Sequence, residues 1–368
     1  PYRCRSCQYF MNEVYIDSSV ALLLQRLQST LGNCLVVADD NWANVNWGLV
    51  RNTDQRSILL ISNRYDIAKS ASTAGIDAYF NDFDFLALEP QSFDTVLFRV
   101  AKERATSHHV INNAAGLLRL NGQLILTGEK NDGLKTYVKQ ASKLFSDKAS
   151  AEKNGAHYLA SVQLHQQDAP ALDDNNYAQT RPIKTCDGLS LESKPGIFGW
   201  DKIDRGSAYL IEHLPQFLGR YAEAPTTLLD LGCGYGYLSM KASQQGFMHI
   251  TGTDNNAAAR SAKAKHFQQL DIDNLLIAGD AGDQINGRFD TVLCNPPFHQ
   301  GFSVDGDMAV KFLSATKRLL NRSGQALFVV NNFIPLEQKA KAYFRYIDVL
   351  ANNGSFKLVA LAHQPVKN

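Results

Sequence analysis

Apolar residues recur along this chain in two alternating rhythms. Val20, Leu23, Leu24, Leu27 and Leu31 share one face of a helix predicted over residues 13–31. Short continuous apolar runs follow, Leu35–Ala38 and Ile58–Ile61, with the length and β-branching of buried strands. A helix from Asp66 to Ala74, closed by Gly75, precedes a strand at Phe93–Phe98, and a helix over His109–Arg119 leads through Asn121-Gly122 into the strand Gln123–Thr127. Residues 133–145 are again helical in pattern. Strands alternating with crossover helices predict a doubly wound, mostly parallel α/β sheet.

Between 166 and 190 the rhythm lapses into polar residues with few large apolar ones, which reads as a linker. A second alternation follows: a helix over Ser207–Leu218, then strands at Thr227–Asp230, His249–Thr253 and Leu275–Ala278, with a helix over 256–270 between the last two. Strands at Phe289–Cys294, Gln325–Val330 and Phe356–Leu361 complete it. The halves echo each other. Phe93-Asp-Thr-Val-Leu97 returns as Phe289-Asp-Thr-Val-Leu293, and Leu117-Leu-Arg-Leu-Asn-Gly-Gln123 loosely as Leu319-Leu-Asn-Arg-Ser-Gly-Gln325. Matched order and spacing point to a duplication, with two tandem Rossmann-like domains over 11–165 and 191–368.

The copies differ where chemistry would sit. Asp230-Leu-Gly-Cys-Gly-Tyr-Gly236 stands at a strand-to-helix turn in the second half, and Ala38-Asp-Asp-Asn-Trp-Ala-Asn44, without glycine, in the first. Gly232, Gly234 and Gly236 would let a ligand lie close to the backbone. The spacing is not the G-x-G-x-x-G of nicotinamide enzymes, since Tyr237 stands where its third glycine belongs. An Asp ahead of the glycines is the S-adenosylmethionine pattern; a plain tight turn is the alternative. Asp254 ends the next strand, placed for ribose hydroxyls or as a helix N-cap. Asp280 follows the strand after that, placed for an adenine amino group, with Asp283 competing.

Asn295-Pro-Pro-Phe298 then follows a buried strand. Two prolines stiffen the loop and cannot extend a ladder. The Asn295 amide, the Pro296 carbonyl, the rigid Pro297 and the Phe298 ring suit a planar group carrying an NH₂, with Asn295 bordering both substrate and cofactor. His299 could take a proton or merely hydrogen-bond. The first half has Arg99-Val-Ala-Lys102 instead, so only the second copy is equipped for catalysis. Upstream, Lys194–Gly206 could form a flap with Phe198 and Asp204 facing the cofactor; a plain loop is the alternative.

Bulk properties narrow the setting. The chain has 368 residues, 45% hydrophobic and 20% charged, which suits two globular domains. No run is long enough for a membrane span and no secretory signal is visible, so the expected compartment is the cytoplasm. Among six cysteines only Cys4 and Cys7 form a C-x-x-C pair, with nothing to complete a metal site. Residues 1–10 precede Met11 and read as an upstream extension. A net charge of +1 argues against non-specific nucleic-acid binding over the whole surface. One basic stretch, Lys311 to Arg345 with Glu337 its single acid, is either an RNA-facing patch or two solvated helix faces.

Pro195-Gly-Ile-Phe198 with Asp204, then the Asp230 glycine motif, then Asn295-Pro-Pro-Phe-His299 resemble the bacterial ribosomal RNA guanine-N2 methyltransferases, the small-subunit (16S) methyltransferase C family in particular. The degenerate first copy and Thr127-Gly-Glu-Lys-Asn-Asp-Gly133 fit that family's N-terminal domain. The resemblance runs from about Met11 onward. It implies methylation of a guanine amino group in 16S rRNA from S-adenosylmethionine, by a metal-free enzyme expected to be monomeric, with the inactive half serving RNA binding or folding. It places the cofactor site on Asp230, Gly232, Gly234, Asp254 and Asp280, and the substrate loop on Asn295–Phe298. Alternatives are the sister 23S rRNA enzymes, a protein glutamine methyltransferase, a DNA adenine methyltransferase, and a non-catalytic RNA-binding or assembly factor. Protein glutamine methyltransferases carry Tyr where this chain has Phe298 and a helical N-terminal domain.

Overall fold

Buried apolar strands set the frame of the computed structural model, which describes residues 16–167, 169–186, 189–269, 273–297 and 302–366. The chain divides into two units, Pro1–Gln179 and Thr180–Asn368. In the first, α1 (Ser18–Ser29) precedes β1 (Gly32–Ala38), β2 (Arg56–Ser62), α2 (Tyr65–Thr73), β3 (Asp77–Phe80) and β4 (Phe93–Arg99). Then come α3 (Arg104–Leu117), β5 (Leu118–Glu129), α4 (Leu134–Leu144), β6 (Glu152–Asn154) and β7 (His157–Gln163). The second unit starts with the hairpin β8 (Arg181–Cys186) and β9 (Leu189–Ser193), then α5 (Arg205–Glu212), α6 (Leu214–Leu218), β10 (Thr227–Leu231), α7 (Tyr237–Ser243) and β11 (His249–Asp254). It continues with α8 (Ala257–Gln269), β12 (Asp273–Ala278), β13 (Phe289–Cys294), α9 (Phe302–Leu319), β14 (Leu320–Asn331), α10 (Leu336–Ala340), β15 (Tyr346–Asn352) and β16 (Phe356–Ala362).

Both units build the same seven-stranded sheet, β3-β2-β1-β4-β5-β7-β6 and β12-β11-β10-β13-β14-β16-β15. The first four pairings in each sheet are parallel and the last two antiparallel, so β7 and β16 run against the other six strands of their sheets. The tandem doubly wound fold is therefore present twice. Leu228, Leu229 and Leu231 on β10 are fully buried, and each such side chain contributes ~1.5–3 kcal/mol.

The repeated Phe-Asp-Thr-Val-Leu has a structural cause. Asp94 accepts the N–H of Asn33 at 2.7 Å, and Asp290 accepts that of Thr227 at 3.1 Å, stapling the start of the fourth strand to the start of the first in each copy. Both sheets carry the same register slip next to this Asp. The glycine of the second echo lets the backbones meet there: a Cβ on Gly324 would stand 2.7 Å from the Asp290 carbonyl oxygen.

Several sequence expectations change. Helix α1 ends at Ser29, because Thr30 is extended and turns its hydroxyl back onto the Leu27 carbonyl at 2.8 Å. Leu31 is consequently 63% exposed and does not belong to the apolar face. The helix expected over His109–Arg119 is α3, starting earlier and ending at Leu117. Asn121, at φ 67°, is a left-handed residue inside β5. The helix expected over Ser207–Leu218 breaks at His213, just before Pro215, which has no N–H to continue the ladder. The stretch read as a linker carries structure: Tyr177 is fully buried with its hydroxyl on Asp82 at 2.8 Å, and Arg181–Cys186 forms β8.

Strand register also moves the comparison of the two copies. Cys34 pairs with Thr95 as Leu228 pairs with Thr291, so Asp230 corresponds to Val36, two positions before Ala38. Arg99 does take the place of Asn295. It is buried, pairs with Asp17 at 3.4 Å and Asp132 at 3.0 Å, and donates to the Val100 carbonyl at 2.7 Å.

Candidate active site

Parallel neighbours in the second sheet bring the C-terminal ends of β10, β11, β12 and β13 to one edge. The glycine loop, Asp254, Asp280 and Asn295 therefore gather there. Gly232 and Cys233 both donate to the Thr253 carbonyl at 3.0 Å, and Gly234 donates to Asp254 Oδ2 at 2.8 Å. Gly232, Gly234 and Gly236 have φ of 78°, 51° and 93°, conformations that cost an L side chain strain. Beside Gly234 nothing lies within 4 Å of where a Cβ would stand. The loop is a tight turn with open space above it.

Asp230 lies beneath that loop, fully buried. Its Oδ2 accepts from Ser239 N–H at 3.1 Å and from Ser239 Oγ at 2.5 Å, with Lys263 Nζ at 3.6 Å. Lys263 is fully buried as well and donates to Ser239 Oγ at 2.8 Å. The other oxygen of Asp230, Oδ1, is buried and takes no hydrogen bond from the described residues. A buried carboxylate costs several kcal/mol unless compensated, and Lys263 compensates this one. The lysine threads past two glycines: a Cβ on Gly236 would meet its Cγ at 3.0 Å, and one on Gly252 its Nζ at 1.8 Å.

Asp254 takes Gly234 on one oxygen and the N–H of Asn256 at 2.8 Å on the other. It braces the glycine loop and opens α8. Asp280 accepts from Asn255 Nδ2 at 3.5 Å and pairs with Lys311 of α9. Asp283 accepts the Asp280 N–H at 2.8 Å on one oxygen and Gln284 Nε2 at 2.8 Å on the other.

Asn295 is half-buried, and Asp204 and Ser207 fix its amide. Its Nδ2 donates to Asp204 Oδ1 at 2.7 Å and to Ser207 Oγ at 2.9 Å. A carboxylate can only accept, so the orientation of the amide is decided and Oδ1 faces away from both partners. Asp204 also caps α5 through Ser207 N–H at 2.8 Å. The first unit repeats this, with Asp17 capping α1 and receiving Arg99. The geometry thus puts Asp204 on Asn295, which differs from the cofactor contact expected of it. Phe198 is 64% exposed. Pro296 is buried and Pro297 exposed; Phe298 and His299, like Cys4 and Cys7, lie outside the described residues. Burial pushes the Cys233 and Cys294 thiols well up, so neither is a nucleophile.

Sequence reasoning missed Ser207, Ser239, Lys263, Lys311 and His266. The one available signal was Gly252, a glycine inside a strand, which marks a close approach. His266 is buried and neutral, because burial holds its pKa down; it accepts the Glu192 N–H at 2.6 Å, and its other nitrogen lies 2.7 Å from the Tyr235 carbonyl. It bolts β9 to the glycine loop.

Two family models match the chain. Residues 188–360 match the methyltransferase small domain and residues 22–174 its N-terminal companion. Several curated relatives are described as ribosomal RNA small subunit methyltransferase C. One from Shewanella halifaxensis is 29% identical over 73% of this chain and 77% of its own length. One from Shewanella piezotolerans is 26% identical over 86% and 97%. The chain belongs to the ribosomal RNA small subunit methyltransferase C family. A solved member, the T. thermophilus 16S rRNA N2 G1207 methyltransferase in complex with AdoMet and guanosine, shares the fold. Its TM-score is 0.82 over 96% of this chain and 93% of that one, at 21% identity. No described helix is long and apolar enough to cross a membrane, and among the described residues no cluster of His, Cys, Asp and Glu could hold a metal ion.

Proposed function

We propose that the second unit transfers a methyl group from S-adenosylmethionine to the exocyclic N2 amino group of a guanine in 16S rRNA, in the cytoplasm. The observation that carries this reading is the Asn295 amide, oriented by Asp204 and Ser207 so that an acceptor is presented beside the glycine loop. The relatives are described as ribosomal RNA small subunit methyltransferases, and the solved member is described as a 16S rRNA N2 G1207 methyltransferase in complex with AdoMet and guanosine, in support of the same donor and target.

The loop suits that cofactor. The open space at Gly234 admits a sugar against the backbone. The unpartnered Asp230 Oδ1 offers a carboxylate oxygen to the methionine end, directly or through water. Asp254 stands for the ribose hydroxyls and Asp280 for the adenine amino group, which would compete with Lys311 for it. Bound there, the cofactor supplies a methyl group on a sulfonium.

An arylamine is a poor nucleophile because its lone pair is delocalised into the ring. Asn295 Oδ1 and the Pro296 carbonyl hold its two N–H bonds and turn the lone pair toward the methyl. The family resemblance assigns Phe298, which lies outside the described residues, to stacking on the base, a contact worth ~1–3 kcal/mol. The methyl–sulfur bond breaks as the methyl–nitrogen bond forms, S-adenosylhomocysteine leaves as the neutral thioether, and the nitrogen gives up one proton to water; the rate comes from positioning and charge placement, with no strong base required. The test is incubation with tritiated cofactor and either 16S or 23S rRNA, followed by nucleoside analysis. N2-methylguanosine in 16S rRNA is expected. Label in N6-methyladenosine, in 23S rRNA alone or in protein overturns the assignment.

A further inference from the structure

From Lys194 to Asp204 the chain runs as a series of turns, with no strand or helix of its own. Ile197 anchors it in the core of the second unit. Turn bonds join the Trp200 N–H to the Ile197 carbonyl at 3.2 Å and the Lys202 N–H to the Gly199 carbonyl at 3.2 Å. Residues of the cofactor loops hold this flap at both ends. At the near end Asn256, just beyond Asp254, donates from Nδ2 to the Gly196 carbonyl at 2.7 Å. At the far end the Tyr235 hydroxyl, from between Gly234 and Gly236, donates to the Lys202 carbonyl at 3.3 Å.

Both anchors are themselves fixed. Asn256 gives its N–H to Asp254 Oδ1 at 2.8 Å, and its Oδ1 caps α8 by accepting the Ala258 N–H at 2.9 Å. With Oδ1 spoken for by a donor, only Nδ2 can face Gly196. Tyr235 is buried, and His266 Nδ1 lies 2.7 Å from its carbonyl. Just past the Tyr235 contact comes Asp204, which orients the Asn295 amide at 2.7 Å. The flap therefore joins the loops around Asp254 and Gly234 to the acceptor beside them.

We propose that Asn256 is a positioning residue, whose clasp on Gly196 sets the flap so that Asp204 meets Asn295. It needs no contact with cofactor or base, because it acts through Asp204. The clasp is separable from the cap. Aspartate at 256 keeps the cap oxygen and has no hydrogen to donate; serine keeps a cap hydroxyl one atom short of the Nδ2 position. The kinetic consequence rests on the guanine-N2 reading, whereas hydrogen exchange at the Asn295 amide does not.

Asn256→Asp and Asn256→Ser are compared with the wild-type full chain by NMR of the Asn295 side-chain amide and by single-turnover methylation of 16S rRNA at saturating cofactor. The Asn295 Nδ2 protons should exchange about 2- to 10-fold faster in both variants, and kcat should fall about 10-fold. In an Asp204→Ala background neither substitution should change either quantity further. Wild-type protection of Asn295 in both variants, or effects that multiply with those of Asp204→Ala, would overturn the clasp. So would an effect of Asn256→Asp alone, which traces to a charge added beside Asp254. Lost protection of Asn295 in chains that label only adenine or protein would sink the guanine reading and leave the clasp standing.

Discussion

At the scale of single residues, the site depends on which atom of Asn295 is left over. Asp204→Ala removes the partner at 2.7 Å that orients the amide. Turnover should fall about 10- to 100-fold with cofactor affinity unchanged. A weakened cofactor Kd at normal kcat would instead make Asp204 the cofactor residue that its flap position suggested. In the first unit, Asp39 has its pKa raised to about 7, chiefly by burial and then by Asp40. A raised carboxyl stabilises the fold while protonated, and that contribution is lost as pH rises through about 7. Asp39→Asn should therefore flatten the decline in stability of the first unit between about pH 4 and 7, as read by urea unfolding at each pH. The motif residues were legible because each follows a strand. The grip on Asn295 was not, because Asp204 and Asn295 are far apart in sequence and only the fold brings the start of α5 to the end of β13.

Among elements, α8 does the least visible work. Its alanine-rich pattern reads as an ordinary surface helix, yet Lys263 points inward to Asp230. Lys263→Met would strand a buried carboxylate and should cost ~3–5 kcal/mol in denaturant unfolding. Gly252→Ala should cost far less in the Lys263→Met background than in the wild type, because the clash it introduces is with the lysine itself. Full additivity in the double-mutant cycle would show that the two do not compete for the same space. The same helix holds the hairpin through His266. Its pKa is lowered chiefly by burial, so the neutral ring is the form the fold prefers. That stability is present above the unfolded histidine value near 6.5 and is lost as pH falls below it. Hydrogen exchange at Glu192 should accelerate on acidification, and His266→Gln should blunt the change. Helices and strands were readable from period alone. Their ends were not, since Thr30, Asn121 and Pro215 act through caps, φ and missing donors that a hydrophobic pattern does not register.

For the whole molecule, the duplication explains why both the echo and the loss were visible. What survives in both copies is scaffolding: the Asp94 and Asp290 staples, the register slip beside them, and a helix-capping Asp that receives the residue at the C-terminal end of the fourth strand. What differs is ligand chemistry. Val36 replaces a carboxylate, and Arg99 fills the place of an amide with a cation locked by Asp17 and Asp132. Each unit has its own buried clusters. Residues 180–368 alone should therefore fold and bind S-adenosylhomocysteine with a Kd near that of the full chain. Failure to bind, with a folded circular dichroism spectrum, would assign the first unit a part in the cofactor site.

On the proposed reading, the fixed amide of Asn295 also makes the reaction chemoselective. Guanine carries two outward groups on its ring, an amine at N2 and a carbonyl oxygen at O6. A lone acceptor, held so that it cannot rotate into a donor, rewards the first and repels the second, so alkylation at oxygen is disfavoured before the methyl is in reach. The near-isostere Asn295→Asp would offer the same acceptor. It would also set one carboxylate against Asp204 at hydrogen-bond distance, a like-charge pair that relaxes by taking a proton or by turning away. The most conservative replacement on paper is therefore one of the least tolerable here.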